Sequence, residues 1–139
     1  MEEALSIAQA SDFVNEKEDK LNSHVAQNGS NFSGGQKQRL AIARVIARKP
    51  EILLFDDSFS ALDYKTDKKL REVLKEKLAD TTKLIVAQRI STIMDADQII
   101  VLDEGHIFGQ GTHEELLESN AVYQEIAYSQ LSKEELAHG

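Results

Sequence analysis

Apolar residues recur along this chain at two spacings, and the switches between them mark its elements. From Gln36 to Arg48, Leu40, Ala43 and Ala47, flanked by Ile42 and Ile46, form a broad apolar face at helical spacing. Lys37, Arg39, Arg44 and Arg48 lie mostly on the other side. Pro50 ends that helix, because it lacks an N–H and restricts the residue before it. Ile52-Leu53-Leu54-Phe55 follows as a buried strand, and Asp63 opens a second helix with Leu70, Val73, Leu74 and Leu78 at three- and four-residue steps. Leu84-Ile85-Val86-Ala87 and Ile99-Ile100-Val101-Leu102 read as further strands. Alternation of strand and helix predicts an α/β fold in which strands 52–55, 84–87 and 99–102 run parallel, joined by crossover helices.

The flanking segments are simpler. Glu2 to Val14 reads as one helix, with Leu5, Ala8 and Ala4 or Ile7 near one face. Glu16 to Lys20 is a solvated charged turn, and Asn28-Gly29-Ser30 a loop. Ser91 is placed to cap a brief helix through Ala96. Asp103-Glu104-Gly105 turns the third strand into an antiparallel partner, His106-Ile107-Phe108, and Gly109 and Gly111 bracket its exit. Thr112 and Glu115 form a capping box opening a last helix that carries Leu116, Leu117, Val122, Tyr123 and Ile126. Residues 132–139 read as a polar tail that frays.

Composition narrows the classes. A hydrophobic fraction of 41% with 29% charged residues suits a soluble globular domain with a modest core. No apolar run approaches the ~20 residues that cross a bilayer, and the acidic start is not a secretion signal. Without cysteine there are no disulfides or thiolate metal sites. His24, His106, His113 and His138 are scattered, which argues against zinc. A net charge of −8 disfavours non-specific binding to nucleic acid or anionic lipid.

Candidate chemistry gathers between Asn31 and Asp63. Ser33 is a good N-cap, and Gly34 and Gly35 leave backbone N–H groups uncovered at a helix start, which suits a phosphate. Asp56 and Asp57 end the buried strand, at the tip where open α/β sheets bind ligands. These elements resemble the ATP-binding cassette (ABC) family. Ser33-Gly34-Gly35-Gln36 is similar to its signature motif, Ile52 to Asp56 to its Walker B strand, and Ser60-Ala61-Leu62-Asp63 to its D-loop. The resemblance runs from about Leu5 to Leu131, and the Gly-Thr-His-Glu-Glu-Leu passage resembles exporter-type cassettes. It implies a remnant of the helical subdomain over 1–30, the C-terminal part of a nucleotide-binding domain over 31–131, and an incomplete P-loop NTPase-like sheet.

By that resemblance Asp56 holds magnesium, through water, and Asp57 stands where the family usually has the glutamate that positions the attacking water. Gln88 stands where the family usually has the switch histidine. Aspartate is shorter by one methylene, a retraction of roughly an ångström that can cost on the order of a hundredfold in rate. The Gln88 amide donates a hydrogen bond but carries no charge. No Gly-x-x-x-x-Gly-Lys-Ser/Thr cradle occurs in the sequence; the resemblance places it N-terminal of Met1. ATP and Mg²⁺ are therefore expected only with that cradle or a partner cassette, and activity of the chain alone is not expected. An intact signature beside non-consensus Asp57 and Gln88 resembles the degenerate-site subunit of heterodimeric multidrug-type exporters. The implied partners are a second nucleotide-binding domain, completed in trans by Ser33 to Gln36, and the transmembrane domains of an exporter. Asp63 would link the two sites, at the cytoplasmic face of the membrane. Two alternatives are a non-enzymatic interaction module or remnant, and a signature-bearing chromosome or repair ATPase, which the acidic balance disfavours. Arg39, one turn from the glycines, is a further candidate for holding phosphate.

Overall fold

In a computed structural model that describes residues 1–131, the chain forms two units, Met1–Val86 and Ala87–Gly139, each around its own apolar cluster. The tail expected over 132–139 lies outside the described residues.

The first unit begins with α1 (Glu2–Ile7) and α2 (Ser11–Asn15), not the single helix expected over 2–14. Gln9 sits in the left-handed region at φ +54°, and the Ala10 N–H donates to the Leu5 carbonyl at 2.8 Å, so the chain turns between the two. The turn has a packing reason. Ala4, Leu5, Ile7, Ala8, Ala10, Phe13 and Val14 are all buried, more apolar residues than one face of a straight helix of that length can present. Helix α3 (Gly34–Ile46) buries Ile42, Ala43 and Ile46 against the same core, along the face its sequence predicts.

Strand β1 (Ile52–Asp56) follows, then α4 (Tyr64–Lys77) and β2 (Thr82–Val86). The two strands pair in parallel from Ile52↔Thr82 to Asp56↔Val86. The strand expected to be buried over 52–55 is buried on one face only: Leu53 and Phe55 point into the core, whereas Ile52 and Leu54, with Leu84 and Val86 of β2, are more than half exposed on the opposite face. Asp63 caps α4: its Oδ1 accepts from the Thr66 N–H at 3.0 Å and its Oδ2 from the Thr66 hydroxyl at 2.7 Å. Those hydrogen bonds hold its carboxyl below the usual aspartate range. Inside the helix, buried Asp67 pairs with Arg71 at 3.2 Å. Lys83 closes the far end by donating to the carbonyls of Leu78 at 2.7 Å and Thr81 at 2.9 Å.

The second unit holds α5 (Ile90–Ile93), β3 (Ile99–Asp103), β4 (His106–Gly111), α6 (His113–Ser119) and α7 (Ala121–Gln130). β3 and β4 form the expected hairpin, bulged between Val101 and Leu102. Of the three strands expected to run parallel, β1 and β2 pair in parallel, and among the described residues β3 pairs with β4 alone. Ser91 does not cap α5, which starts one residue earlier; the Ile90 N–H donates instead to Gln130 Oε1 at 2.9 Å. The single last helix is divided by Asn120, whose Oδ1 accepts from the Tyr123 N–H and caps α7 at 2.8 Å. The same side chain donates to the Phe108 carbonyl at 2.8 Å, and a Cβ at Gly109 would run into it. Between α6 and α7, His113 Nδ1 lies 2.7 Å from the Tyr123 hydroxyl, and burial pushes that phenol up to about 12.

Three stability outcomes follow for the first unit. Leu70→Ala, at a fully buried position, lowers unfolding free energy by about 3 kcal/mol in urea titrations. Asp67→Ala lowers it by about 2 kcal/mol, because Arg71 loses its buried carboxylate. Because the folded pKa of Asp63 is depressed, its cap contributes fully above the ordinary aspartate pKa of about 4 and is lost as pH falls through the folded value. Asp63→Asn keeps an acceptor for the Thr66 N–H and reduces the pH dependence of the denaturation midpoint below about pH 5.

Candidate functional site

The start of α3 is built by a reciprocal cap. Ser33 Oγ accepts from the Gln36 N–H at 3.2 Å, and Gln36 Oε1 accepts from the Ser33 N–H at 3.0 Å. The loop before it is held by Asn31, which accepts from the Ala26 N–H at 3.1 Å and donates to the His24 carbonyl at 2.9 Å. The cap satisfies Gln36, leaving the Gly34 and Gly35 N–H groups without a partner among the described residues. They sit at the positive end of a 13-residue helix, with Ser33 and Gly34 exposed.

The segment Ser60–Asp63 lies directly against this turn. A Cβ on Gly35 would stand 3.1 Å from the Ala61 carbonyl oxygen, tighter than most side-chain contacts, so the close approach favours glycine there. At Gly34 a Cβ would meet only the Ala61 methyl, at an ordinary 3.6 Å. Gln38, one turn further along α3, accepts from the Ala61 N–H at 3.0 Å and donates to Ser60 Oγ at 3.2 Å. Ser60 Oγ donates to the Asp57 carbonyl at 2.9 Å. Gln38 was not among the sequence candidates; its one signal is a neutral amide between Lys37 and Arg39.

At the tip of β1, Asp56 and Asp57 are both exposed. Asp57 adopts φ +48°, fixed by its N–H donating to the Val86 carbonyl at 2.9 Å. This left-handed conformation is uncommon for a residue with a side chain, and aspartate tolerates it better than most. Phe59 is buried against Phe55 with ring centroids 5.1 Å apart, which anchors the loop between strand and D-loop segment. Arg39 is engaged elsewhere. It donates to the Gln9 carbonyl at 2.6 Å and the Gly35 carbonyl at 3.4 Å, and stacks 4.8 Å over Phe13, so it ties the α1–α2 turn to α3 rather than facing a phosphate.

Gln88 belongs to the second unit and is exposed. Its carbonyl accepts from Gln130 Nε2 at 2.8 Å, while Gln130 Oε1 takes the Ile90 N–H, so the end of α7 clamps the Gln88 turn. Sequence reasoning missed Gln130 because the two sites lie about forty residues apart.

The first turn of α3 suits a phosphate: Gly34 and Gly35 carry no side chain of their own, their N–H groups have no partner among the described residues, and the helix dipole stands behind them. Among the described residues no three acidic or histidine side chains gather to cage a metal. The exposed Asp56 suits magnesium held by one or two carboxylates, phosphate oxygens and water.

Comparison with known proteins gives this geometry a context. A family model described as "ABC transporter" matches residues 2–60. An uncharacterized ABC transporter ATP-binding protein of Mycobacterium tuberculosis is 53% identical over 130 residues, covering 94% of this chain and 22% of the relative. The ATP-dependent lipid A-core flippase of Escherichia coli K12 is 41% identical over 126 residues, covering 91% of this chain and 22% of the flippase. The solved structure of a bacterial Atm1-family ABC exporter with ATP bound matches with a TM-score of 0.89 at 36% identity, over 95% of this chain and 23% of the exporter. The chain thus spans about a fifth of the length of these relatives. By the family model over residues 2–60, these relatives and this fold, the chain is a homologue of ABC transporter nucleotide-binding domains.

Proposed function

We propose that this chain supplies the signature turn, D-loop, Walker B edge and switch loop of an ABC exporter ATPase, and closes on ATP gripped by a second cassette. What supports the reading is the start of α3, whose Gly34 and Gly35 donors stand free beside a D-loop packed against them. Ser33, Gly34, Gly35 and Gln36 contact the γ-phosphate of the partner's nucleotide, and the helix dipole stabilises the charge that develops there. Asp56 holds magnesium through water; when bound, magnesium neutralises charge on the phosphates. By sequence position, Asp57 matches the residue that orients the attacking water, and Gln88 the switch residue, of the site that the cradle would complete. The carboxylate of Asp57 reaches less far than a glutamate's, and the Gln88 amide donates a hydrogen bond without a positive charge. That site retains ATP and turns it over slowly. Asp63, at the end of the D-loop, relays closure of one site to the other in a heterodimer whose transmembrane domains lie above it at the cytoplasmic face. Among the described residues no helix is long and apolar enough to cross a membrane.

Two outcomes test this. Added to a cassette that carries a Gly-x-x-x-x-Gly-Lys-Ser/Thr cradle, the chain stimulates phosphate release, and Gly34→Asp reduces that stimulation about tenfold by setting a carboxylate against the phosphate. The Gly34 position has room for the side chain, so equal stimulation by both forms would mean association without a shared nucleotide. With the cradle joined to this chain, Asp57→Glu together with Gln88→His raises single-turnover hydrolysis at the site it completes by about a hundredfold.

A further inference from the structure

The geometry points to Gln38 as a positioning residue that transmits closure of the signature turn, through the D-loop, to the Asp57 backbone; this rests on the reading just proposed. One amide grips two successive residues. Its Oε1 takes the Ala61 N–H at 3.0 Å and its Nε2 donates to Ser60 Oγ at 3.2 Å. Ser60 Oγ, in turn, donates to the Asp57 carbonyl at 2.9 Å, and the Ser60 N–H reaches the same carbonyl at 3.3 Å. Asp57 is the residue whose left-handed φ of +48° depends on its surroundings to persist. A path of hydrogen bonds thus runs from α3, two residues beyond the signature, to the carboxylate-bearing turn at the tip of β1.

The contacts have a direction. Gly35 already lies against the Ala61 carbonyl, so van der Waals packing fixes how near the helix and the D-loop approach. Packing alone leaves the D-loop free to slide along the helix; the amide of Gln38, bonded to both Ala61 and Ser60, fixes its register. Movement of α3 toward a phosphate therefore carries Ser60 with it, and the Ser60 hydroxyl carries the Asp57 peptide. The chain's signature, which serves one nucleotide, is in this way tied to its Asp57, which serves the other.

Site-resolved hydrogen exchange on the whole chain tests the link. In Gln38→Leu, the Ala61 amide exchanges about fivefold faster, as expected for one lost hydrogen bond, and the Asp57 amide follows, while Ile42, Ala43 and Leu53 are unchanged. Gln38→Glu keeps an acceptor for the Ala61 N–H and restores its protection, but its second oxygen draws the Ser60 hydroxyl away from Asp57, whose amide stays fast. Paired with a cradle-bearing cassette, Gln38→Leu lowers kcat for ATP about tenfold with KM unchanged. Unchanged exchange at Ala61, or an equal rise across α3 and β1, would overturn the assignment, as would a change in KM alone. If the unaltered chain fails to stimulate the cassette, the function proposed above is wrong, and exchange at Ala61 and Asp57 still decides whether the link exists.

Discussion

Two pieces of backbone meet where Gly35 lies against the Ala61 carbonyl, and the rest of the site is arranged around that contact. A helix start can face a phosphate only if nothing covers it, and a strand tip can share that phosphate only if the loop after it reaches the same place. Glycine at position 35 meets both conditions: it removes the side chain that would push the D-loop away and leaves its own N–H bare. Everything else in the first unit holds these two pieces at that spacing. Ile42, Ala43 and Ile46 anchor α3 from below; Leu53, Phe55 and Phe59 anchor β1 and its loop; Leu62 and Leu70 anchor the start of α4.

The electrostatics follow the same division. The Gly34 and Gly35 donors lie at the positive end of α3 and the carboxylates Asp56 and Asp57 at the strand tip, so on the proposed reading anion and cation are served by different elements. Arg39 is not part of this arrangement. It serves the Gln9 and Gly35 carbonyls and the face of Phe13. Positive potential at the helix start therefore comes from backbone, which is rigid and cannot swing aside when a nucleotide arrives.

Much of this was legible in the residues because the signals are local. Ser33 as an N-cap and Thr112 with Glu115 as a capping box form as the spacing predicts, and Asp63, expected to begin the second helix, caps it. The apolar faces of α3 and α4 follow from helical periodicity, and four apolar residues ending in Asp56 form β1. What escaped depends on contacts between distant parts of the chain. The break at Gln9 is held by Arg39, thirty residues away, and the start of α5 by Gln130, forty residues away. Asn120 divides the last helix because its amide reaches Phe108, which periodicity within 112–126 cannot register. Pairing of β3 with β4 was legible from the Asp103-Glu104-Gly105 turn, whereas an apolar run alone is equally compatible with a parallel or a hairpin neighbour.

The backbone at Asp57 gives its aspartate a physical reason independent of any catalytic role. At Asp57 the left-handed backbone favours a short polar side chain, so aspartate relieves strain where a glutamate would increase it. Reach toward water and backbone comfort thus oppose each other at one position. The central claim, that these residues close on a triphosphate held by another cassette, is tested most directly by equilibrium titration of magnesium-ATP into this chain alone and into its mixture with a cradle-bearing cassette. The account predicts no saturable binding by the chain alone and slower nucleotide dissociation from the mixture than from the cassette by itself. Stoichiometric, tight binding by the chain alone would contradict it.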